Sequence, residues 1–179
     1  MSLTVVHTAD LDPADLRAAR ALLHQAFDGD FADTDWEHGL GGMHALVHDG
    51  AGLAAHGSVV QRRARHRGRW LRVGYVEAVG VRPDARRRGL GGQVMAALEG
   101  VAERAYDLGA LSASEDGARL YTARGWLRWA GRVCALSPKD GIVRLADEEG
   151  DVYVWPGLAG DVLDPAHELV FDWRDGDVM

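Results

Sequence analysis

The apolar positions of the chain indicate a strand, then a helix, then a long polar segment. Residues 3–7 are strand-like, and the apolar residues from Leu16 to Phe27 recur at the three- and four-residue spacing of an amphipathic helix. Asp12 has a side chain suited to cap this helix, and Pro13 suits its first turn. Residues 28–42 are polar, acidic and rich in glycine, which is typical of a binding loop or of a segment that contains a short helix.

The pattern after residue 42 alternates strands with helices and predicts an α/β fold. Asp49-Gly50 and Arg67-Gly68 lie between apolar stretches and favour turns, so the first three strands after the loop form a meander. The predicted elements are strands over 43–48, 53–65, 71–81, 108–113, 126–136, 152–155 and 167–173, and helices over 93–105 and 115–124. This order predicts a mixed central β-sheet flanked by helices, and the length of 179 residues favours a single domain over 1–179.

The composition argues against several classes of protein. Hydrophobic residues make up 47% of the chain and charged residues 26%, as in ordinary globular proteins. The chain has no apolar run that would span a bilayer and no signal-peptide pattern, so we expect a cytoplasmic protein with no membrane partner. Cys134 is the only cysteine and is expected to be a buried strand thiol. His44 and His48 share a strand face but have no carboxylate at a ligand spacing, so we predict no metal site.

Charge is distributed unevenly along the chain. The net charge of −7 argues against nucleic acid as a partner. Arginines concentrate over 62–88, whereas acidic residues concentrate over 28–37, 147–151 and 172–177. This distribution fits two interpretations. The charges are solvated surface groups, or they form separate sites for an anionic cofactor and a cationic substrate. The basic run 62–69 brackets a predicted turn, so we expect an exposed hairpin there.

Residues 81–92 carry the most specific chemistry of the chain. A strand leads into Pro83 and three consecutive arginines, and Gly89 and Gly91 precede a predicted helix. Glycines leave backbone N–H groups unobstructed, and a helix start adds unpaired donors and the positive end of the macrodipole. Together with the arginines, these groups predict a cradle for phosphate.

The same residues resemble the acyl-coenzyme A signature of the GNAT N-acetyltransferases. The signature Val-x-Pro-x-x-Arg-x-x-Gly-x-Gly falls on Val81, Pro83, Arg86, Gly89 and Gly91. The resemblance implies a GNAT fold in which acetyl-coenzyme A (acetyl-CoA) is the co-substrate and binds between two splayed strands, here 73–81 and 108–113.

Further segments resemble one branch of that family, the aminoglycoside 2′-N-acetyltransferases. They occur in colinear order from His7 to the end of the chain and are Gly-Asp-Phe at 29–31, Asp-Trp-Glu-His at 35–38, Leu-Gly-Gly-Met-His at 40–44, Val-Gly-Tyr-Val-Glu at 73–77, Leu-Gly-Ala-Leu-Ser at 108–112 and Asp-Trp-Arg-Asp-Gly-Asp-Val at 172–178. The resemblance implies direct acetyl transfer to the 2′-amine of an aminoglycoside antibiotic, hence antibiotic resistance, and a homodimer.

The resemblance also implies roles for individual residues. Glu77 assists deprotonation of the amine, Tyr121 protonates the departing thiolate, and the N–H of Val79 points at the thioester oxygen. The implied acetyl-CoA contacts are Val79, Val81, Arg86, Arg87, Arg88, Gly89, Leu90, Gly91 and Gly92, of which Arg87 and Arg88 occupy variable motif positions. The implied aminoglycoside contacts are Asp30, Asp35, Glu77, Ser112, Asp147, Asp177 and Met179 with its terminal carboxylate. Asp147 is chosen from three adjacent acids, and Met179 replaces an aromatic residue of the family.

Two other functions fit the sequence. The acceptor of an acetyltransferase with excess negative charge is equally well another amino sugar, such as a cell-wall precursor, or a polyamine. The other hypothesis is a non-catalytic module that binds acyl-CoA, although the presence of both Glu77 and Tyr121 argues against it.

Overall fold

The structure is a computed structural model that describes residues 1–179, apart from the side chains of residues 116 and 158. Its backbone divides into two compact units, one formed by Met1–Val60 and Val76–Val101 and the other by Gln61–Tyr75 and Ala102–Met179. Over the described residues, every helix is too short or too polar to cross a membrane.

The first unit contains a meander with helices packed against it. Its elements are β1 (Ser2–His7), α1 (Pro13–Ala26), α2 (Asp33–His38), β2 (Met43–Asp49), the first part of β3 (Gly52–His66), the last part of β4 (Arg69–Val81) and most of α3 (Leu90–Ala105). Strand β2 pairs antiparallel with β1 and with β3, and β3 neighbours β4. The predicted loop over 28–42 therefore includes a short helix, α2.

Helix α1 begins where its sequence predicts and packs by its apolar stripe. The carboxylate of Asp12 accepts a hydrogen bond of 2.7 Å from the N–H of Ala14, which satisfies one of the open donors of the first turn. Leu22 and Leu23 are buried in the core that also contains Leu46 of β2. A methyl group at Gly80 of β4 would lie 2.9 Å from Leu23, so glycine there lets helix and sheet approach closely.

Gly42 is expected to be the least replaceable glycine of this unit. A Cβ at this position would lie 2.1 Å from the carbonyl oxygen of Val59, a backbone atom of β3 that cannot rotate away. We expect Gly42→Ala to lower the free energy of unfolding by about 2 kcal/mol, as overpacking does. Urea unfolding measures this change. The matched control is Gly50→Ala, because no heavy atom lies within 4 Å of that position; equal stabilities of the two variants would contradict the prediction.

The second unit adds strands on both sides of the β3–β4 hairpin. Its other elements are β5 (Leu108–Ser112), α4 (Glu115–Ala123), β6 (Leu127–Arg128), β7 (Val133–Ser137), β8 (Gly141–Arg144), β9 (Val152–Trp155) and β10 (Leu169–Asp172). The strand order is β6-β9-β5-β4-β3-β10-β7-β8. Strand β5 runs parallel to β4 and antiparallel to β9, and the ladder between β4 and β5 ends at Tyr75 and Ala110.

The predicted α/β fold with a mixed sheet is confirmed, and two predicted features are wrong. The single strand predicted over 126–136 is two strands, β6 and β7, interrupted at Gly131, where a Cβ would lie 2.6 Å from the carbonyl oxygen of Pro165. Strand β8 was not predicted, because its half-exposed residues show no alternation. The hairpin turn at Arg67-Gly68 is confirmed. The sequence predicted an exposed hairpin, but Arg62, on the first strand of this hairpin, is buried. The single domain over 1–179 stays a prediction.

Candidate active site

Strand β4 has a positive φ at Ala78, between two of the predicted catalytic residues, and we call this irregular position the bulge. Ala78 has a φ of 51° inside a strand, a conformation that costs an alanine backbone energy. Glu77 and Val79 flank the bulge, and both are half-buried. The bulge therefore sets the direction of the Glu77 side chain and of the Val79 N–H.

Two side chains of β3 hold the carbonyl groups of this bulge. The Oγ of Ser58 donates to the carbonyl oxygen of Glu77 at 3.5 Å, and Nδ1 of His56 lies 3.2 Å from the carbonyl oxygen of Ala78. Nε2 of His56 is in turn 2.9 Å from Nδ1 of His44 on β2. Both imidazoles are fully buried. The sequence indicated packing and hydrogen bonding for these histidines, but not their connection to the bulge.

Burial keeps both histidines uncharged at neutral pH. Loss of hydration, and then the charge of His7, lowers the pKa of His44 to about 4. Loss of hydration, and then the charge of His44, lowers the pKa of His56 to about 3. The ordinary histidine pKa is 6.5, so the unfolded chain takes up protons below this pH while the folded chain does not. Stability is therefore lost as the pH falls from 6.5 towards 4.

We expect the free energy of unfolding to fall by about 1 kcal/mol for each of the two histidines between pH 6 and pH 5. Urea unfolding at the two pH values measures this change. The His48→Asn variant is the control, since His48 lies on the same strand but is partly exposed and pairs with Asp15. Imidazole NMR signals of His44 and His56 that titrate near pH 6.5 in the folded protein would contradict the prediction.

The predicted phosphate cradle lies between β4 and α3, in the first unit. Gly89 has a φ of 77°, which favours glycine, and no heavy atom lies within 4 Å of the position of a Cβ there. The first helical hydrogen bond of α3 runs from Gln93 N–H to the carbonyl of Gly89, so the amides of Leu90, Gly91 and Gly92 precede it. The open space at Gly89 and the N–H groups of these three residues suit a phosphate group.

The arginines of this loop differ in their partners. The guanidinium of Arg86 donates to the carbonyl of Ala26, at 3.1 Å, and to that of Val81, at 3.5 Å, so it holds the loop to the end of α1 as well as adding charge. Arg87 is exposed and has a φ of 60°. Arg88 lies 3.5 Å from the carboxylate of Asp49, which also pairs with Arg82 at 3.0 Å. A hydrogen bond from the Ala51 N–H, and then the two from Arg82, hold the pKa of Asp49 below its usual value.

Tyr121 lies on α4, in the second unit. Tyr121 is 8% exposed, and its ring centre lies 6.2 Å from the ring centre of Trp126 and 6.2 Å from that of Tyr153. Burial raises the pKa of its phenol to about 12. The hydroxyl therefore stays protonated over the whole physiological range, as a proton donor must.

The second unit brings together three polar residues near the end of β5. The Oγ of Ser112 donates to a carboxylate oxygen of Glu148 at 3.2 Å. Burial, and then the nearby charge of Asp177, raises the pKa of Glu148 above its usual value. Asp147, the acid chosen from the sequence, is exposed, so its contact with an aminoglycoside stays a prediction. The contact with Ser112 is made by the neighbouring Glu148, which is half-buried in the short turn over Ala146–Glu148.

A buried arginine anchors the segment that carries Asp177 and Met179. Arg62 of β3 donates to the carboxylate of Asp172 at 2.9 Å, to the Asp172 carbonyl at 2.7 Å and to the Val178 carbonyl at 2.8 Å. The hydroxyl of Tyr75 donates to an oxygen of Met179 at 2.7 Å, and Arg174 also binds that atom. Met179 is itself buried. Sequence analysis assigned no role to Arg62 or Tyr75.

The two acids of the loop over 28–42 are placed differently. Asp30 is exposed just after the end of α1. Asp35 lies in α2 and is half-buried, and one of its carboxylate oxygens accepts a hydrogen bond of 2.8 Å from the N–H of Ala32. The carboxylate of Asp35 therefore caps α2 through one oxygen, and the second oxygen takes no part in this hydrogen bond.

A cavity of about 740 Å³ in the second unit contains none of the predicted site residues. Its lining includes Arg128, Arg132 and Arg144 and one acid, Glu149, which pairs with Arg144 at 2.7 Å. The excess positive charge of this lining is unfavourable for a polycation.

Comparisons with known proteins match this arrangement over most of the chain. A family model described as an acetyltransferase (GNAT) domain matches residues 8–128. An aminoglycoside 2′-N-acetyltransferase of Mycolicibacterium fortuitum is 51% identical over an alignment of 177 residues, and the match covers 97% of this chain and 90% of that protein.

Solved structures share the fold at low sequence identity. The GNAT family N-acetyltransferase YhbS of Escherichia coli, in complex with CoA, superposes with a TM-score of 0.66 at 18% identity, over 97% of this chain and 89% of that chain. Eis1 of Mycobacterium abscessus superposes with a TM-score of 0.61 at 19% identity, over 75% of this chain but only 33% of that chain.

Proposed function

The chain belongs to the GNAT family of acetyltransferases, and from this we propose that it transfers the acetyl group of acetyl-CoA to the 2′-amine of aminoglycoside antibiotics. The observation that carries the proposal is the identity of 51% over 97% of the chain with an enzyme of that name. Such a reaction needs a neutral amine, a polarised carbonyl and a proton for the departing thiolate, and the candidate residues for these roles are Glu77, Val79 and Tyr121. A cytoplasmic location, a homodimer and a role in antibiotic resistance stay predictions.

The residues of the cradle fit the phosphates of acetyl-CoA, which supplies an activated acetyl thioester when bound. The amides of Leu90, Gly91 and Gly92 lie at the positive end of α3, and the open space at Gly89 admits a phosphate to the backbone. Arg86, Arg87 and Arg88 are exposed and add charge. In this proposal, the backbone groups of Val79 and Val81 hold the pantetheine arm.

Glu77 and Val79 act on the reacting groups in this proposal. The carboxylate of Glu77 attracts the ammonium group of the acceptor and takes its proton through water, which leaves a neutral amine to attack. The N–H of Val79 stabilises the charge that develops on the thioester oxygen. The bulge at Ala78 supports both roles, because it fixes the backbone on each side.

Direct transfer between the two substrates is supported by the state of Cys134. This thiol is 6% exposed in β7, and burial, followed by the charges of Glu168 and Glu149, raises its pKa. A buried thiol with a raised pKa is a poor nucleophile, so it does not carry the acetyl group. A mass spectrum of the enzyme during turnover tests this: an acetylated enzyme would contradict direct transfer.

The acceptor site is acidic in this proposal. Aminoglycosides are polycations, and the candidate contacts are Asp30, Asp35, Glu77, Ser112, Asp147, Asp177 and Met179, to which the structure adds Glu148. Glu148 and Asp177 repel one another, and a cationic ligand between carboxylates relieves such repulsion. This relief favours an acceptor with several amines over one with a single amine.

The decisive experiment compares kanamycin B with kanamycin A, which differ only in an amine or a hydroxyl at C2′. We expect release of CoA with kanamycin B and not with kanamycin A, and a product whose NMR spectrum places the acetyl group on the 2′ nitrogen. Turnover of both compounds, or acetylation at another amine, would overturn the regiochemistry. Turnover of neither, with a linear polyamine accepted instead, would favour the alternative acceptor.

A further inference from the structure

A chain of hydrogen bonds runs from the turn after β1 through two buried histidines to the bulge in β4. The Oγ1 of Thr8 lies 2.7 Å from Nε2 of His44, Nδ1 of His44 lies 2.9 Å from Nε2 of His56, and Nδ1 of His56 lies 3.2 Å from the carbonyl oxygen of Ala78. All of these atoms belong to the first unit. We call this arrangement of Thr8, His44 and His56 the histidine relay.

The direction of the relay follows from its last acceptor. A carbonyl oxygen only accepts, so Nδ1 of His56 carries the hydrogen and its Nε2 is an acceptor. His44 must then donate from Nδ1 and accept at Nε2. The single hydrogen of the Thr8 hydroxyl therefore goes to His44 at 2.7 Å rather than to the Gly42 carbonyl at 3.2 Å, which also accepts from the Thr8 N–H at 3.0 Å. The oxygen of Thr8 accepts in turn from the N–H of Gly41 at 2.9 Å. Every member of the relay donates towards Ala78.

Burial makes this arrangement costly to break. His44 and His56 are 0% and 1% exposed. Among the side chains that the structure describes, every buried nitrogen or oxygen has a hydrogen-bond partner. Without His56, the carbonyl of the half-buried Ala78 would lose this partner.

The carbonyl that the relay holds belongs to the same peptide unit as the N–H of Val79. That unit is planar and trans, since the described backbone contains no cis peptide bond, so the two groups point in opposite directions. Holding the oxygen of Ala78 therefore aims the N–H of Val79. A donor on the oxygen also polarises the peptide, which strengthens its N–H as a donor.

We propose that His56 and His44 are positioning residues, which aim and polarise the Val79 N–H for the thioester oxygen of the acetyl donor. The inference rests on the proposed function, in which Val79 supplies that donor. Thr8 completes the relay by fixing which nitrogen of His44 carries the hydrogen. The relay therefore acts on the transition state, in which the oxygen gains charge, more than on binding of either substrate.

The test combines three variants with two measurements. His56→Leu removes the donor to Ala78, His44→Leu removes only its support, and His56→Asn keeps an N–H at the position of Nδ1. The first measurement is the ¹H–¹⁵N NMR signal of the Val79 amide in the protein without substrates. The second is kcat and KM with acetyl-CoA and kanamycin B. His48→Asn, on the same strand and outside the relay, is the control.

We expect the Val79 signal to move in His56→Leu, to move less in His44→Leu, and to return towards the wild-type position in His56→Asn. We expect kcat to fall roughly tenfold to hundredfold in His56→Leu with both KM values nearly unchanged, because misaligned groups lower the rate rather than the affinity. His56→Asn is expected to recover most of kcat, and His48→Asn to keep all of it.

Each result decides between the proposals. A folded His56→Leu with an unmoved Val79 signal, or with wild-type kcat, would overturn the relay. If His56→Leu does not fold, His44→Leu decides in its place, because it keeps the bond to Ala78 yet is expected to lower kcat; wild-type kcat in that variant would overturn the relay. A wild-type protein that does not acetylate kanamycin B, with a Val79 signal that still responds to His56→Leu, would refute the proposed acceptor and leave the hold on the bulge established.

Discussion

Replacing Arg62 with methionine is expected to lower the free energy of unfolding by about 3–5 kcal/mol. Arg62 is 4% exposed and is the shared donor for the Asp172 carboxylate and for two backbone carbonyls. Its guanidinium also lies 4.8 Å from the ring centre of Tyr75 and 5.3 Å from that of Phe171. Methionine fills similar space but leaves these acceptors without their donor.

The matched control is Arg63→Met, which removes the same charge from the neighbouring position of β3. The Arg63 side chain is exposed, so this variant is expected to change the free energy of unfolding by less than about 0.5 kcal/mol. Arg62→Lys keeps the charge without the planar fork and is expected to lie between the two. Urea unfolding compares the variants, and equal stabilities of Arg62→Met and Arg63→Met would contradict the role of Arg62.

Weaker contacts at Arg62 should also weaken the acceptor site, because the segment that Arg62 anchors carries Asp177 and Met179. We expect KM for the acceptor to rise in Arg62→Lys while KM for acetyl-CoA stays nearly constant, since the cradle over 86–92 does not include this segment. Steady-state kinetics with one substrate saturating separates the two constants. A rise in KM for acetyl-CoA alone would contradict this assignment.

Tyr121→Phe is expected to lower kcat about 100-fold, which is the lower end of the effect of a positioned proton donor. The substitution keeps the ring that packs on Trp126 and Tyr153, so the melting temperature should change little. Because burial raises the pKa of Tyr121 to about 12, kcat of the wild type should show no loss from its ionisation below about pH 11.

The control for Tyr121 is Tyr153→Phe, in the same aromatic cluster, which removes a hydroxyl that has no proposed role. Its kcat is expected to equal that of the wild type. Steady-state turnover with acetyl-CoA and kanamycin B, together with thermal unfolding, compares the variants. Wild-type kcat in Tyr121→Phe would show that another group, or water, protonates the thiolate.

Features encoded within one segment could be predicted from the sequence. The cap by Asp12, the turn at Arg67-Gly68 and the glycine before α3, Gly89, depend on residues a few positions apart, and the structure confirms them, although α3 begins at Leu90, three residues before the predicted start. The GNAT signature is local in the same sense, since one strand, one loop and one helix carry it. Matching such a signature to a family needs no knowledge of long-range packing.

Features that depend on distant pairing could not be predicted. Arg62 lies in a basic run that suggests solvent exposure, and its burial depends on Asp172, 110 residues later. The histidine relay needs the register of β2 on β3 and a positive φ at Ala78, and neither leaves a mark on the sequence around it. Glu148, rather than Asp147, contacts Ser112, and this depends on the rotation of the short turn over Ala146–Glu148.

The long separation between Arg62 and Asp172 has a consequence for synthesis on the ribosome. Strand β3 gains its neighbour β10, and Arg62 its partners, only after another 110 residues have been made. At usual rates of translation that takes roughly 5–20 s. During this interval the end of β3 lacks its partner strand, and Arg62 lacks the acceptors that surround it in the folded protein, so this part of the sheet can form only once β10 has been made.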